Sequence, residues 1–421
     1  MSVRDHLAIY RRKISRPRAP VIFAIAVVLG VGACSTGADT ELVTEYSAEL
    51  NLGGDASPVV TRTLQRGEYL IEAREHEIDV HMTVDAGGSR TELEDRVPRH
   101  GTLYQVVSMT TPGELRVTVR SDDHRTKQGR ASLRISRWKR TPDARPGELE
   151  LGFVAFGAAC EQATLATTEA WTRAADKLHE AVAHFEAADD ETTLAQAAYF
   201  LANVQFGPRN QWAAAVRATE IATDAYESSD DEVGIHNAAT LRAAAELSLA
   251  DAMIAGTQHA EQRALYASAD RRLVQAVDFF HSHAMSMREQ YATNLRAVLA
   301  VRSTDYDAAT TLLERSIELA RANNDVAEQA KSLNNLAAVH NFRGFLAQAA
   351  QEYEALLPLV DPRAQPFQYA ALLGNYGVTL IALGDFDRAL ELHTEALKVY
   401  TENGDEAERA GLDPRGHGRH S

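Results

Sequence analysis

The chain has 421 residues, 45% of them hydrophobic and 24% charged, enough apolar material for two or three packed domains of about 150 residues each and too much for a disordered chain. A formal charge of −16 argues against a nucleic-acid surface, because such partners are held by clustered Lys and Arg that displace counterions. With only two cysteines there is no disulfide framework, so stability must come from packing.

Residues 1–33 break from the rest of the chain. Arg4, Arg11, Arg12, Lys13, Arg16 and Arg18 precede an uncharged apolar run from Val21 to Gly32, the layout of an export signal peptide. As a helix the run reaches roughly 18 Å, short of the ~30 Å hydrocarbon core of a bilayer. It ends in Val31-Gly32-Ala33-Cys34-Ser35, which resembles a bacterial lipobox. That resemblance implies cleavage before Cys34, a diacylglycerol on its thiol and, through Ser35, sorting to the periplasmic face of the outer membrane in a Gram-negative cell. A plain secretory signal cleaved nearby and an uncleaved anchor are the alternatives, and Arg11-Arg12 partly fits the twin-arginine export route. Cleavage before Cys34 removes six basic residues and one acidic residue, which takes the charge from −16 to −21. It also leaves Cys160 without a partner, and in Gly157-Ala158-Ala159-Cys160-Glu161 that residue reads as a small buried hydrophobe. Residues 34–40 read as a linker.

From 41 to 141 the hydrophobic period is two. Ile78, Val80, Met82 and Val84 alternate with polar residues, as do Leu115, Val117 and Val119. Further strands are predicted over 59–64, 68–73, 104–109 and 131–136, with turns at Arg66-Gly67, Gly87-Gly88, Pro112-Gly113 and Gln128-Gly129. About seven short strands at this spacing predict a small antiparallel β-sandwich. The segments Gly67 to Ile71, Ile78 to Met82 and Gly113 to Val119 resemble prepeptidase C-terminal sandwich domains, which implies an accessory module. Glu94, Asp95, Asp122 and Asp123 read as solvated loop acids rather than a calcium site.

Beyond Pro146 the period becomes 3.6, and a repeat emerges over 148–404. Phe386, Ala389, Leu390, His393, Ala396, Leu397 and Tyr400 form one apolar stripe of a four-turn helix. The same offsets recur at Leu346, Tyr306, Tyr266, Trp212 and Trp171, so six stripes start at 171, 212, 266, 306, 346 and 386. The long step from 212 to 266 points to an insertion near 254–259, where Gly256 breaks the helix. Alanine holds the fourth place in every copy, as expected where two helices cross closely. A second apolar helix precedes the later stripes (Leu333, Leu336, Ala337; Leu373, Tyr376, Leu380), so each unit is a helix hairpin. Breaks at 323–325, 361–362 and 403–405 are too frequent for a coiled coil.

Tyr376-Gly377, Gly384-Asp385-Phe386, Ala389 and Ala396 resemble the tetratricopeptide repeat, with a period near 40 in place of the usual 34. The resemblance implies a mainly α protein, a superhelical solenoid of about six helix pairs behind the sandwich. The concave groove is then lined by the first helix of each pair. Carried over by position, that groove holds Tyr291, Asn294, Val298 and Arg302, then Lys331, Asn334, Ala338, Asn341 and Phe342, then Gly374, Asn375 and Val378. Asn294 and Asn334 lie 40 apart, and side-chain amides can pair with an extended peptide backbone. Tyr291, Asn294, Arg302, Lys331, Asn334, Asn341, Phe342 and Asn375 are therefore the candidate partner contacts, unless these asparagines serve caps and loops.

The stretch from Trp171 to Ala410 also resembles the front half of bacterial proteins in which such repeats precede a caspase-like CHAT peptidase domain, and no residues remain here to build that domain. Residues 405–421 read as an unstructured tail and the array as truncated, because a repeat array usually ends in a polar capping helix. No phosphate loop, His-Glu-x-x-His, Gly-x-Ser-x-Gly or Cys-x-x-Cys occurs, and the His281-Ser282-His283 spacing suits no tetrahedral metal site. The expectation is a non-catalytic, lipid-anchored scaffold without cofactor or metal, binding a protein or peptide. The alternative is the regulatory half of a CHAT-type peptidase.

Overall fold

The computed structural model describes residues 33–34, 40–53, 57–75, 80–94, 102–121, 128–140, 145–165, 167–253, 259–363 and 365–402. The signal peptide before Ala33, the tail 405–421, Asp95, Asp122, Asp123 and Gly256 lie outside the described residues. The chain divides into two compact units, Phe23–Phe279 and the unit holding Phe280–Ser421.

In the first unit, alternating side chains produce nine strands among the described residues: β1 (Ala33–Cys34), β2 (Thr40–Gly53), β3 (Val59–Leu64), β4 (Gly67–Glu75), β5 (Val80–Ala86), β6 (Ser89–Glu94), β7 (Thr102–Met109), β8 (Gly113–Ser121) and β9 (Gln128–Arg140). They form two antiparallel sheets, ordered β1-β2-β9-β4-β7 and β3-β8-β5-β6. Three strands, β1, β2 and β6, go beyond the sequence reading. β2 buries Tyr46, Ala48, Leu50 and Leu52 along β9, with a register shift between Thr44 and Tyr46. β6 pairs with β5 and sets Glu94 opposite His81, so Glu94 ends a strand and is not a loop acid.

Helices α1 (Glu148–Thr164), α2 (Thr168–Ala187), α3 (Glu191–Phe206), α4 (Trp212–Ser228) and α5 (Glu232–Asp251) complete this unit, with α6 (His259–Ser282) crossing its boundary. Thr167, Asp190 and Asp231 cap α2, α3 and α5, each side chain accepting from a backbone N–H three residues on. The sandwich and the helices share one apolar core running from Tyr46 to Leu241. At their joint the Tyr104 ring of β7 lies 5.1 Å from Phe153 and 4.8 Å from Phe156 on α1, and Phe153 meets Phe185 of α2 at 5.1 Å. Close approach requires Gly157, where an added Cβ would stand 3.1 Å from the Tyr104 carbonyl oxygen. Cys160, one turn on, is buried within this contact and takes part in no disulfide among the described residues.

Arg140 of β9 clasps the joint, donating to Glu68 of β4 and Glu150 of α1. Burial pushes the Glu150 carboxyl up to about 7 against the opposing Arg140 hydrogen bond, with Glu68 adding to the rise. That value lies above the ordinary 4.5, so the group's stabilising contribution is complete below pH 4.5 and is lost as pH rises through about 7. Glu150→Gln is expected to flatten the fall in urea-unfolding midpoint that the parent chain shows between about pH 4.5 and 7.

The second unit stacks three hairpins: α7 (Ser286–Arg302) with α8 (Tyr306–Ala322), α9 (Val326–Phe342) with α10 (Leu346–Leu356), and α11 (Pro366–Leu383) with α12 (Phe386–Glu402). Each tight turn holds a residue with positive φ, Thr304, Asn324, Gly344 or Gly384, just ahead of the next helix. The stripe expected to run from Leu346 to Val360 as one helix instead passes into a 3-10 turn at Leu357–Leu359. Pro358 removes a backbone donor there, yet Val360 remains buried.

Across both units the fourth-place alanines Ala174, Ala215, Ala269, Ala309, Ala349 and Ala389 are 0–1% exposed. Ala349→Arg buries an unpaired charge and is expected to cost about 4 kcal/mol or more, whereas Ala347→Arg, on the exposed side of the same helix, should change stability by under about 0.5 kcal/mol. Urea unfolding followed by circular dichroism measures both.

Candidate peptide-binding face

All eight candidate partner contacts fall in the second unit, on the first helices α7, α9 and α11. Behind that face, α8, α10 and α12 supply the apolar backing. Ala297, Ala309, Leu313 and Val339 form one buried cluster, and Tyr353, Leu356, Leu373, Tyr376 and Leu380 belong to a second. Tyr353 and Tyr376 stack with centroids 5.9 Å apart, and burial, ahead of the carboxylates nearby, pushes both hydroxyls up and keeps them protonated.

Asparagines cross-link the three first helices. Asn335 Nδ2 donates to Asn294 Oδ1 at 3.1 Å, and Asn375 Nδ2 donates to Asn334 Oδ1 at 3.2 Å. Both steps span 41 residues, one more than the repeat, because the side chains meet across adjacent stacked helices rather than at equivalent positions. The Lys331 ammonium adds a parallel rung, 5.4 Å from the centre of the Tyr291 ring and 3.6 Å from Glu328.

The candidates separate by exposure. Asn294, 3% exposed, has turned inward, where its Nδ2 donates to Ser332 Oγ at 2.8 Å. It sits in a buried polar cluster with Gln290, Ser316 and Glu328. Gln290 Nε2 donates to Ser316 and Glu328, and the Ser316 and Ser332 hydroxyls are 2.9 Å apart. Asn294 thus positions Asn335 and does not face a partner. Tyr291, Lys331, Asn334, Asn341 and Asn375 are half-buried, while Arg302 and Phe342 are exposed. Phe342 stacks on Tyr306 of α8 with centroids 6.2 Å apart, and the shielded Asn341 Oδ1 has no hydrogen-bond partner. Asn335 was not among the sequence candidates, although the doublet Asn334-Asn335 and the 41-residue step to Asn375 carry its signal.

The ladder uses one side of each outer amide. The Asn334 Nδ2 amino group and the Asn375 side-chain oxygen Oδ1 carry no protein hydrogen bond among the described residues, so a donor group and an acceptor remain for an outside chain. Among the described residues there is no group of three or more His, Cys, Asp or Glu placed to hold a metal ion, and no helix is long and apolar enough to cross a membrane.

Residues 328–402, covering the last two hairpins, match the tetratricopeptide repeat family. No curated protein sequence matches the chain. A solved Rap protein complexed with Competence and Sporulation Factor superposes with a TM-score of 0.50 at 15% identity, covering 64% of this chain and 71% of that one. NprR in complex with its cognate peptide NprX gives 0.48 at 13% identity, over 64% and 72%. The Rap conjugation gene regulator of plasmid pLS20, in complex with the Phr* peptide, gives 0.47 at 13%, over 64% and 80%. The fold is a mainly helical array of tetratricopeptide-type hairpins preceded by a two-sheet antiparallel β region.

Proposed function

We propose that this chain is an exported, lipid-anchored, non-catalytic scaffold that grips an extended segment of a protein or peptide on the α7–α9–α11 face. The observation that carries this reading is the amide ladder, which presents an unpaired donor on Asn334 and an unpaired acceptor on Asn375, flanked by Lys331 and exposed Phe342. A peptide backbone carries donors and acceptors that fit such a pair. The Rap protein of the same fold, solved with Competence and Sporulation Factor bound, supports a binding role. The anchor rests on the Val31-to-Ser35 sequence, with Cys34 as the lipidated residue. The second reading, a regulatory segment for a CHAT-type peptidase, draws on the resemblance over 171–410 and uses the same face; recovery of a peptidase bound to the chain favours it.

Panning a random-peptide display library against the purified chain tests the binding role. It should enrich one family of peptides that compete with one another. Replacing Asn334 and Asn375 together by Ala should weaken their binding at least ~10-fold, about 1.4 kcal/mol, with the fold retained. Asn294→Ala should instead lower stability by about 1–3 kcal/mol, since it leaves buried groups unpaired. No enrichment, or affinity indifferent to the double substitution, contradicts the proposal. For the anchor, Cys34→Ser should move the chain from the membrane fraction to the soluble one; retention in membranes contradicts lipidation.

A further inference from the structure

The six stripes are alike in sequence but not in cover. In α8 the stripe residue Leu313 shares a buried cluster with Val339 of α9, Leu336 packing on it, Tyr306 stacks on Phe342 of α9 and Ile317 is buried, and in α10 Tyr353 is buried against Tyr376 of α11. At the places of α12 equivalent to the half-buried Tyr306 and Thr310 and the buried Ile317, Phe386 is 66% exposed, Leu390 68% and Leu397 37%, so among the described residues this stripe has no covering helix. Ala389, Ala396 and Tyr400, on the adjoining side of α12, are buried as in the other copies. The open stripe is therefore a continuation of the internal hairpin-to-hairpin interface.

We infer that a second copy of this chain covers this face, α12 packing antiparallel on α12 of its partner about a two-fold axis near Thr394. Two features favour self-pairing. Leu390 and Leu397 stand symmetrically about residues 393–394, so an antiparallel partner sets each leucine against the other copy's opposite leucine. Charge follows the same symmetry. Glu391 and Lys398 lie seven residues, two turns, apart on one flank of α12. A two-fold axis perpendicular to antiparallel helices brings the same flank of each copy together, so each Glu391 faces the other copy's Lys398. Lys398, 3.8 Å from Glu402 in its own helix and otherwise exposed, is free to make that exchange. The interface is self-complementary and closes as a dimer.

Sedimentation equilibrium on the full purified chain tests this. At about 50 µM the parent chain should have twice its own mass. Leu390→Glu, at a position already exposed, should give a monomer with unchanged circular dichroism. Glu391→Lys and Lys398→Glu, each placing like charges together, should each weaken the dimer at least tenfold, and the two combined should restore it to within about threefold of the parent. A monomeric parent overturns the inference. A dimer unaffected by Leu390→Glu, or a charge exchange without rescue, overturns it as well.

Discussion

The helical part of the structure depends on one steric constraint: an alanine where each second helix crosses its neighbour. Six such residues, from Ala174 to Ala389, are sealed from solvent. Their small side chains let backbones approach until the larger stripe residues interlock, the arrangement that packs protein interiors densely. A larger or charged residue there would push two helices apart and loosen the hairpin on either side, so the constraint is local in its contacts but shared along the stack.

Close stacking also explains the proposed binding face. Because α7, α9 and α11 lie side by side, short asparagine side chains can reach from one helix to the next, and the face becomes a fixed lattice of amides rather than a set of independent polar side chains. The buried Gln290–Ser316–Ser332–Asn294 cluster beneath it satisfies polar groups that would otherwise be costly inside a core. An array held together in this way has its amides fixed by the helices, so under the proposed function little ordering would be left to oppose binding. In the other unit the sandwich is tied to the first helices through Tyr104, Phe153, Phe156 and Phe185, which share a core with both sheets.

Much of this was legible in the sequence where periodicity carries the information. The stripes beginning at Trp212, Tyr306, Leu346 and Phe386 coincide with helix starts, and the strand over 59–64 lies within its predicted limits. Less was legible where structure depends on distant neighbours. Strand β2 alternates clearly from Tyr46 to Leu52, but its pairing with β9 joins residues about ninety apart. The roles of the asparagines were only half visible: the 40-residue spacing marked Asn294 and Asn334 as equivalents, whereas burial separates them. The small residues around Gly157 looked featureless because the reason for them, the Tyr104 backbone, lies on a strand some fifty residues earlier.

Amide hydrogen exchange on the chain with and without a saturating peptide tests the central claim most directly. The account predicts that added protection concentrates in α7, α9 and α11 around residues 291, 334 and 375. Protection confined to the β-sheets or to the outer helices α8, α10 and α12 would contradict it.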